Sequence, residues 1–388
     1  MKVVGLFAGI GGFETGLAAA GHSSTLLCEI LPASRAVLES RFLGVDVHDD
    51  IRTLVDLPAD TEILCAGFPC QDLSQAGRTR GLAGANSGLV REVFRLVERR
   101  SIPWIVLENV PFMLQLGGGA AIRSIVDEFE RLGYRWAWRV VDTYSFGLPQ
   151  RRERVLLVAS NTGDPANVLL ADDRPIERRT ADLRRRAHGF YWTEGRGGLG
   201  WAVDCVPTLK NGSSVGIPSP PAVLLPSGEI VKPDIRDAER LQGFSGDWTF
   251  PAETVARPSL RWGLVGSAVS TPVARWLGDR LAEPGRYDTG RDEPFPAGRK
   301  LPRAARFDGH VRTSVRISAD PLGLEPPPLT TFLQWPGTLL SEKATAGFLG
   351  RARTAKLRFH PGFLDAVERH LDRMSEHPGS QIDAKRVA

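Results

Sequence analysis

Short apolar runs alternate with helix-spaced apolar positions over the first 160 residues. Residues 3–7 form an apolar run that ends at glycines, and 25–30, 62–67 and 104–107 are further runs of strand length. Runs this short, bounded by turn residues, predict buried strands. Between them Leu89, Val93, Leu96 and Val97 recur at helical spacing. Ile122, Ile125, Val126 and Phe129 do the same, with Gly133 placed as a C-cap. Residues 135–141 and 154–159 read as two more strands. The repetition predicts an α/β fold with a mostly parallel sheet.

The pattern breaks from 161 to 200, where Arg, Asp and Gly dominate and periodicity fades. Residues 207–233 are rich in Pro, Gly and Ser, with short β-like pieces such as 222–225. A short helix is predicted at 237–242 and a longer one at 272–281. Nine prolines between 284 and 336 read as an extended linker or arm. Near the end Phe363, Val367, Leu371 and Met374 fit one face of an amphipathic helix.

A length of 388 residues suits two to three domains. Apolar residues at 42% and charged residues at 24% argue against wholesale disorder. No apolar run is long enough to span a membrane, and the N-terminus enters a strand pattern with no signal-peptide core, so a cytoplasmic protein is expected. Four cysteines make neither a disulfide scaffold nor, by their spacing, a zinc site, and no metal is expected. The net charge of +4 is unevenly spread: residues 284–388 hold 17 cations and 12 anions, a net +5, leaving −1 for the rest. Six cations crowd 299–316 (Arg299, Lys300, Arg303, Arg306, Arg312, Arg316) against Asp308 alone, and Arg351, Arg353, Lys356 and Arg358 follow. Such clusters suit phosphate contacts, and equally a solvated basic surface.

Three segments carry chemistry, each after a predicted strand, where ligands bind in α/β sheets. Phe7, Gly9, Gly11 and Gly12 form a glycine-rich strand-to-helix turn, with Glu14 where a dinucleotide fingerprint would have its third glycine. Glu29 ends the next strand about 20 residues on, placed to bond ribose hydroxyls. Together they favour an adenosine-containing cofactor; singly, each is also met as a structural turn or a solvated carboxylate. Cys70, in Gly67-Phe68-Pro69-Cys70-Gln71-Asp72-Leu73-Ser74, is a candidate nucleophile. Cys28, Cys65 and Cys205 read as small buried hydrophobes. Glu108, in Leu107-Glu108-Asn109-Val110-Pro111, is a candidate acid once burial raises its pKa.

The ordered series resembles the DNA cytosine-5 methyltransferases, a family using S-adenosyl-L-methionine. Further blocks carry the resemblance: Gln150-Arg151-Arg152-Glu153-Arg154, Val206-Pro207-Thr208-Leu209, Glu239-Arg240-Leu241-Gln242-Gly243-Phe244 and Val265-Gly266-Ser267-Ala268-Val269. They are collinear over roughly residues 3–281, about 70% of the chain. The resemblance implies a Rossmann-like catalytic domain at 1–160 and 258–283, a small target-recognition domain at 161–257, and a basic extension at 284–388 as a possible DNA-binding arm. It implies that Cys70 attacks C6 of a flipped-out cytosine in duplex DNA, that Glu108 contacts N3 and the exocyclic amine, and that Arg154 binds O2 with Arg152 assisting. Toward the cofactor it implies Phe7, Gly9, Gly11 and Gly12 at the methionine end, Glu29 at the ribose, Ile30, Asp50 and Ile51 at the adenine, and Pro69 and Ser267 beside them. Gln71, Ser74, Arg78 and Arg80 would contact DNA from the segment 71–87.

The chain departs from the family in two places. Ser267 stands where the family usually has Asn, a shorter side chain with one fewer contact. Only about 45 residues separate the strand at 159 from Val206, short for a recognition region. Double-stranded DNA is the implied partner, a cognate restriction endonuclease is left open, and a monomer is the family default. Methylation of RNA at the same carbon and a catalytically silent DNA-binding homologue are the alternatives.

Overall fold

The apolar runs assemble into one ten-stranded sheet. The computed structural model describes residues 1–68, 88–212, 220–298 and 300–376. Two units result: Met1–Phe146 with Glu153–Pro175 and Ala268–Gly323, and Gly147–Arg152 with Ile176–Ser267 and Leu324–Ala388.

The first unit runs β1 (Lys2–Leu6), α1 (Gly12–Ala19), β2 (Ser23–Cys28), α2 (Pro32–Arg41), β3 (Asp46–His48), β4 (Ile63–Ala66), α3 (Gly88–Arg99), β5 (Trp104–Asn109), α4 (Ala120–Arg131), β6 (Arg135–Asp142) and β7 (Glu153–Ser160). It continues through α5 (Pro165–Leu169), α6 (Thr271–Ala282), β8 (Asp292–Pro294), β9 (Ala304–Phe307) and β10 (Arg312–Val315). The sheet order is β8-β10-β9-β6-β7-β5-β4-β1-β2-β3. Successive side chains in a strand face opposite ways. In β4, Leu64 and Ala66 join a core with α3 and α4, while Ile63 and Cys65 join one with α1 and α6. Both faces are covered, so the strands read as continuous apolar runs.

The sheet is mixed, which corrects the mostly parallel expectation. Pairings among β3, β2, β1, β4 and β5 are parallel. The five from β5 through β7, β6, β9 and β10 to β8 are antiparallel. Burial on both faces erases the alternation that would have marked the antiparallel half.

The residues expected as one extension divide between the units. Those up to Gly323 supply β8, β9 and β10 of the large sheet. Trp136 and Trp138 on β6 explain the docking: they stack 4.8 Å apart, fully buried, and Phe307 of β9 stacks on Trp136 at 6.2 Å. The basic cluster is engaged in ion pairs here. Arg303 meets Glu153 at 2.8 Å, Arg306 meets Asp292 at 2.6 Å, and Arg312 meets Asp127 at 2.5 Å and Glu130 at 2.7 Å. Arg316 lies 3.9 Å from Glu293. These four cations thus help hold the added strands; Arg299 lies outside the described residues.

The second unit has a five-stranded antiparallel sheet in the order Ala202–Val203, His188–Phe190, Ala222–Leu224, Ile230–Lys232, Thr338–Leu339. The predicted C-terminal helix is Phe363–Glu376, with Phe363 and Val367 fully buried. It packs with Phe190 and with Phe348 of the helix Glu342–Arg353. Residues of the segment 188–230 and of the chain end therefore share one core. Among the described residues no helix is long and apolar enough to cross a membrane.

Parts of four of the family-like blocks interlock in this unit. Gln150–Arg151 pairs in parallel with Val206–Pro207. Gln150 Nε2 donates to Leu241 O at 2.8 Å, and Gln242 Nε2 to Val265 O at 2.9 Å. Glu239, fully buried, accepts from Thr249 N at 2.8 Å and pairs with Arg261 at 3.0 Å. Removing one partner of a buried ion pair costs about 3 kcal/mol or more. Glu239→Ala is therefore expected to lower Tm by on the order of 10 °C in a thermal melt; an unchanged Tm contradicts this role.

Candidate functional site

The site is built at the carboxyl ends of β1, β2, β4 and β5. Beyond β1 the backbone turns through three left-handed residues, Phe7 (φ 55°), Gly9 (φ 57°) and Gly11 (φ 85°). For Phe7, which has a Cβ, that conformation costs about 1–3 kcal/mol and is held by the surroundings: Ala8 N donates to Cys28 O at 3.0 Å, and the ring packs on the core. A Cβ at Gly9 would meet nothing within 4 Å, so the turn is open there. At Gly12 a Cβ would fall 2.3 Å from Val269 O, so this glycine serves the close packing of α1.

Glu29 follows β2, 8% exposed. Its two oxygens accept from Gly9 N and Leu31 N, each at 2.8 Å. Burial pushes its pKa up, and those amide bonds oppose the rise. The carboxylate thus ties the β1 turn to the end of β2 and keeps lone pairs for a ligand hydroxyl. Next to it Ile30 and Leu31 are 55% and 53% exposed, an apolar surface suited to a flat ring. Open turn, acid and apolar surface fit an adenosine-containing cofactor. Asp50 is held by its neighbour Arg52, at 2.7 Å, which lowers its pKa. Ile51 is 4% exposed, in the core that α3 and α4 join.

Glu14 was not foreseen as special. It lies in the first turn of α1, fully buried, with its carboxyl against the Gly5 backbone, where any Cβ would collide. One oxygen has no partner among the described residues. Burial, with Glu29 nearby, pushes its pKa to about 7. The fold therefore favours the neutral acid. That preference is complete below about pH 4.5 and is lost as pH rises through 7, a swing of about 3 kcal/mol. Glu14→Gln is expected to melt several degrees above the unaltered protein at pH 8 and level with it at pH 4.5, read by thermal melts across pH. Equal melting at pH 8 contradicts this.

At the end of β5, Glu108 is 8% exposed. Its Oε1 lies 2.8 Å from Arg154 Nε on β7. Its Oε2 lies over Gly67, 3.6 Å from where a Cβ would stand. Asn109 Nδ2 donates to Phe68 O at 3.0 Å. Acid, guanidinium and the chain leading to Cys70 thus meet at one sheet edge. Asn109, 3% exposed, is a positioning residue that the sequence reading passed over; its place beside Glu108 was the available signal.

Pro69, Cys70, Gln71, Ser74, Arg78 and Arg80 lie outside the described residues. The other three cysteines are buried. Burial pushes the Cys28 thiol to about 12 and Cys65 well above its ordinary range, which makes both poor nucleophiles. Arg152, expected to assist at the base, is instead 1% exposed in the second unit, where its guanidinium donates to Leu209 O at 3.0 Å and Gly266 O at 3.1 Å. Ser267 is exposed at the end of the helix Arg261–Ser267.

Residues 1–187 match the C-5 cytosine-specific DNA methylase family. Over 386 residues the chain is 44% identical to the type II methyltransferase M2.BsuMI of Bacillus subtilis (strain 168), covering 96% of this chain and 99% of that one. It is 35% identical over 304 residues to the type II methyltransferase M.HaeII of Haemophilus aegyptius, covering 71% of this chain and 90% of that one. Among solved structures, the S. pombe Dnmt2 methyltransferase aligns with a TM-score of 0.52 at 15% identity, over 73% of this chain and 98% of that one, a likeness of fold.

Proposed function

This chain belongs to the C-5 cytosine-specific DNA methylase family and is a DNA (cytosine-5-)-methyltransferase, and from that premise we propose that it works through a covalent bond between Cys70 and C6 of a cytosine flipped out of duplex DNA. The meeting of Glu108, Arg154 and the root of the Cys70 segment at one sheet edge carries the reading. Cytosine C5 is a weak nucleophile, and a reversible adduct splits one hard step into easier ones. The Cys70 thiolate forms the S–C6 bond, and the displaced electron pair moves onto C5 and the ring. Glu108 accepts from the exocyclic amine and shares a proton with N3, which steadies the charge gained there. Arg154 holds Glu108 and binds O2. C5 then takes the methyl group, a base removes the C5 proton, and the returning electron pair expels Cys70.

S-adenosyl-L-methionine, when bound, supplies an electrophilic methyl group on a sulfonium. Phe7, Gly9 and Gly11 would hold its amino-acid end, Glu29 its ribose hydroxyls, and Ile30 its adenine. Gly12 and Ile51 act through packing. The 44% identity to a type II methyltransferase favours a modification role, with a restriction endonuclease of the same specificity as functional counterpart.

The test is transfer of a labelled methyl group to duplex DNA and, in parallel, to transfer RNA. Label on C5 of DNA cytosine alone is expected. Label on RNA alone overturns the DNA reading, and label on neither overturns both.

A further inference from the structure

The second unit carries a cavity that the transfer reaction does not use. It has a volume of about 450 Å³ and is lined by Trp192, Lys232, Glu253, Ser259, Arg261 and Trp262 among others, all within that unit. The size suits a small planar ligand, since such pockets span about 300–1,000 Å³.

Its aromatic groups are set unequally. Trp192 is fixed, its indole N–H donating to Pro220 O at 2.9 Å. Trp262, partly exposed on the helix Arg261–Ser267, has no partner for its N–H among the described residues. A ring left open to solvent with an unused donor is suited to stacking on a base while bonding its edge or its phosphate. The charges are unequal too. Arg261 is closed by Glu239 at 3.0 Å, Asp247 at 3.0 Å and Glu253 at 2.8 Å, so it offers no free charge. Lys232, at the end of its strand, has no side-chain partner among the described residues. One unpaired cation and two indole rings therefore line the same cavity.

We propose that this cavity takes an unpaired nucleobase of the DNA substrate, stacked on Trp262, with its phosphate on Lys232. The proposal rests on the DNA reading above. A base inside an intact duplex has both faces covered by its neighbours and cannot stack on a side chain. Withdrawing one base from the helix leaves its former partner unpaired, and a slot with a π-face and a cation lowers the cost of that exposed state. None of its residues belongs to the Glu108–Arg154 site, so the slot acts on a nucleotide other than the one being methylated.

Fluorescence anisotropy on the full chain tests this, using a fully paired duplex and a duplex with a single unpaired base opposite an abasic position. Base-on-aromatic stacking of about 1–3 kcal/mol corresponds to roughly 5- to 150-fold in affinity. Trp262→Ala is expected to weaken the unpaired-base duplex by at least about tenfold and the paired duplex by less than twofold. Trp262→Tyr, which keeps a ring, should retain binding and guards against misfolding of the alanine variant. Lys232→Gln should weaken the same complex and reduce its salt slope by about one. Equal losses on both duplexes, or no loss on either, overturn the proposal. So does a Trp262→Ala variant that only dissolves a self-associated form in sedimentation while binding both DNAs normally. Failure to bind or methylate any DNA defeats the underlying reading. Normal methylation with indifference to the unpaired base defeats this inference alone.

Discussion

Glu108→Gln is expected to lower the rate of methyl transfer by about 10²- to 10⁴-fold, the usual range for loss of a positioned proton-transfer group. Glutamine keeps the shape of the side chain above Gly67 and a carbonyl oxygen toward Arg154. It cannot share a proton with N3 in the same way. The loss should fall on kcat far more than on KM, because N3 gains its charge only as the S–C6 bond forms. A variant that mainly raises KM would show that Glu108 only binds the base. A modest drop in Tm is also expected, since Arg154 is largely buried and loses the charge of its partner. Measuring single-turnover rates and melting curves on the same preparation separates the two effects.

The second large effect concerns Cys70. Cys70→Ala is expected to reduce transfer to background, since without the sulfur C5 is not activated. A duplex carrying 5-fluorocytosine at the target sharpens the test. Fluorine at C5 cannot leave as a proton, so elimination stops and the S–C6 bond persists. The unaltered protein should form a complex with this DNA that survives denaturing electrophoresis, and the alanine variant should form none. A denaturation-resistant complex with the variant would assign the nucleophile elsewhere. The buried thiols of Cys28 and Cys65, both pushed up by burial, make that outcome hard to accommodate.

Much of this was legible in the sequence for a simple reason. The chemistry-bearing residues sit at strand ends, and the strands announce themselves as short apolar runs. Glu29 follows β2 and Glu108 is the next-to-last residue of β5, as the strand spacing requires. The parallel half of the sheet, with its helical crossovers, was legible for the same reason.

What stayed hidden was whatever depends on pairing across long separations. Residues 304–307 are Ala-Ala-Arg-Phe, a short stretch with a cation in it, and nothing local marks it as a strand. It becomes one because Trp136 and Trp138 need cover and because Asp292 takes the charge of Arg306. The same cations read in sequence as a basic arm. Arg152 and Arg154 are two residues apart and chemically identical, yet one donates to the carbonyls of Leu209 and Gly266 and the other meets Glu108. Glu14 looked like a missing glycine and is a buried acid whose pKa burial pushes to about 7.

The central claim is that this chain methylates C5 of cytosine in DNA through Cys70. Bisulfite sequencing of DNA from a methylation-deficient host that expresses the protein tests it most directly, with Cys70→Ser expressed alongside. Protected cytosines in one short sequence context, absent with the serine variant, are the predicted result. Soluble protein with no protected cytosines, or the same protection with the variant, would contradict the account.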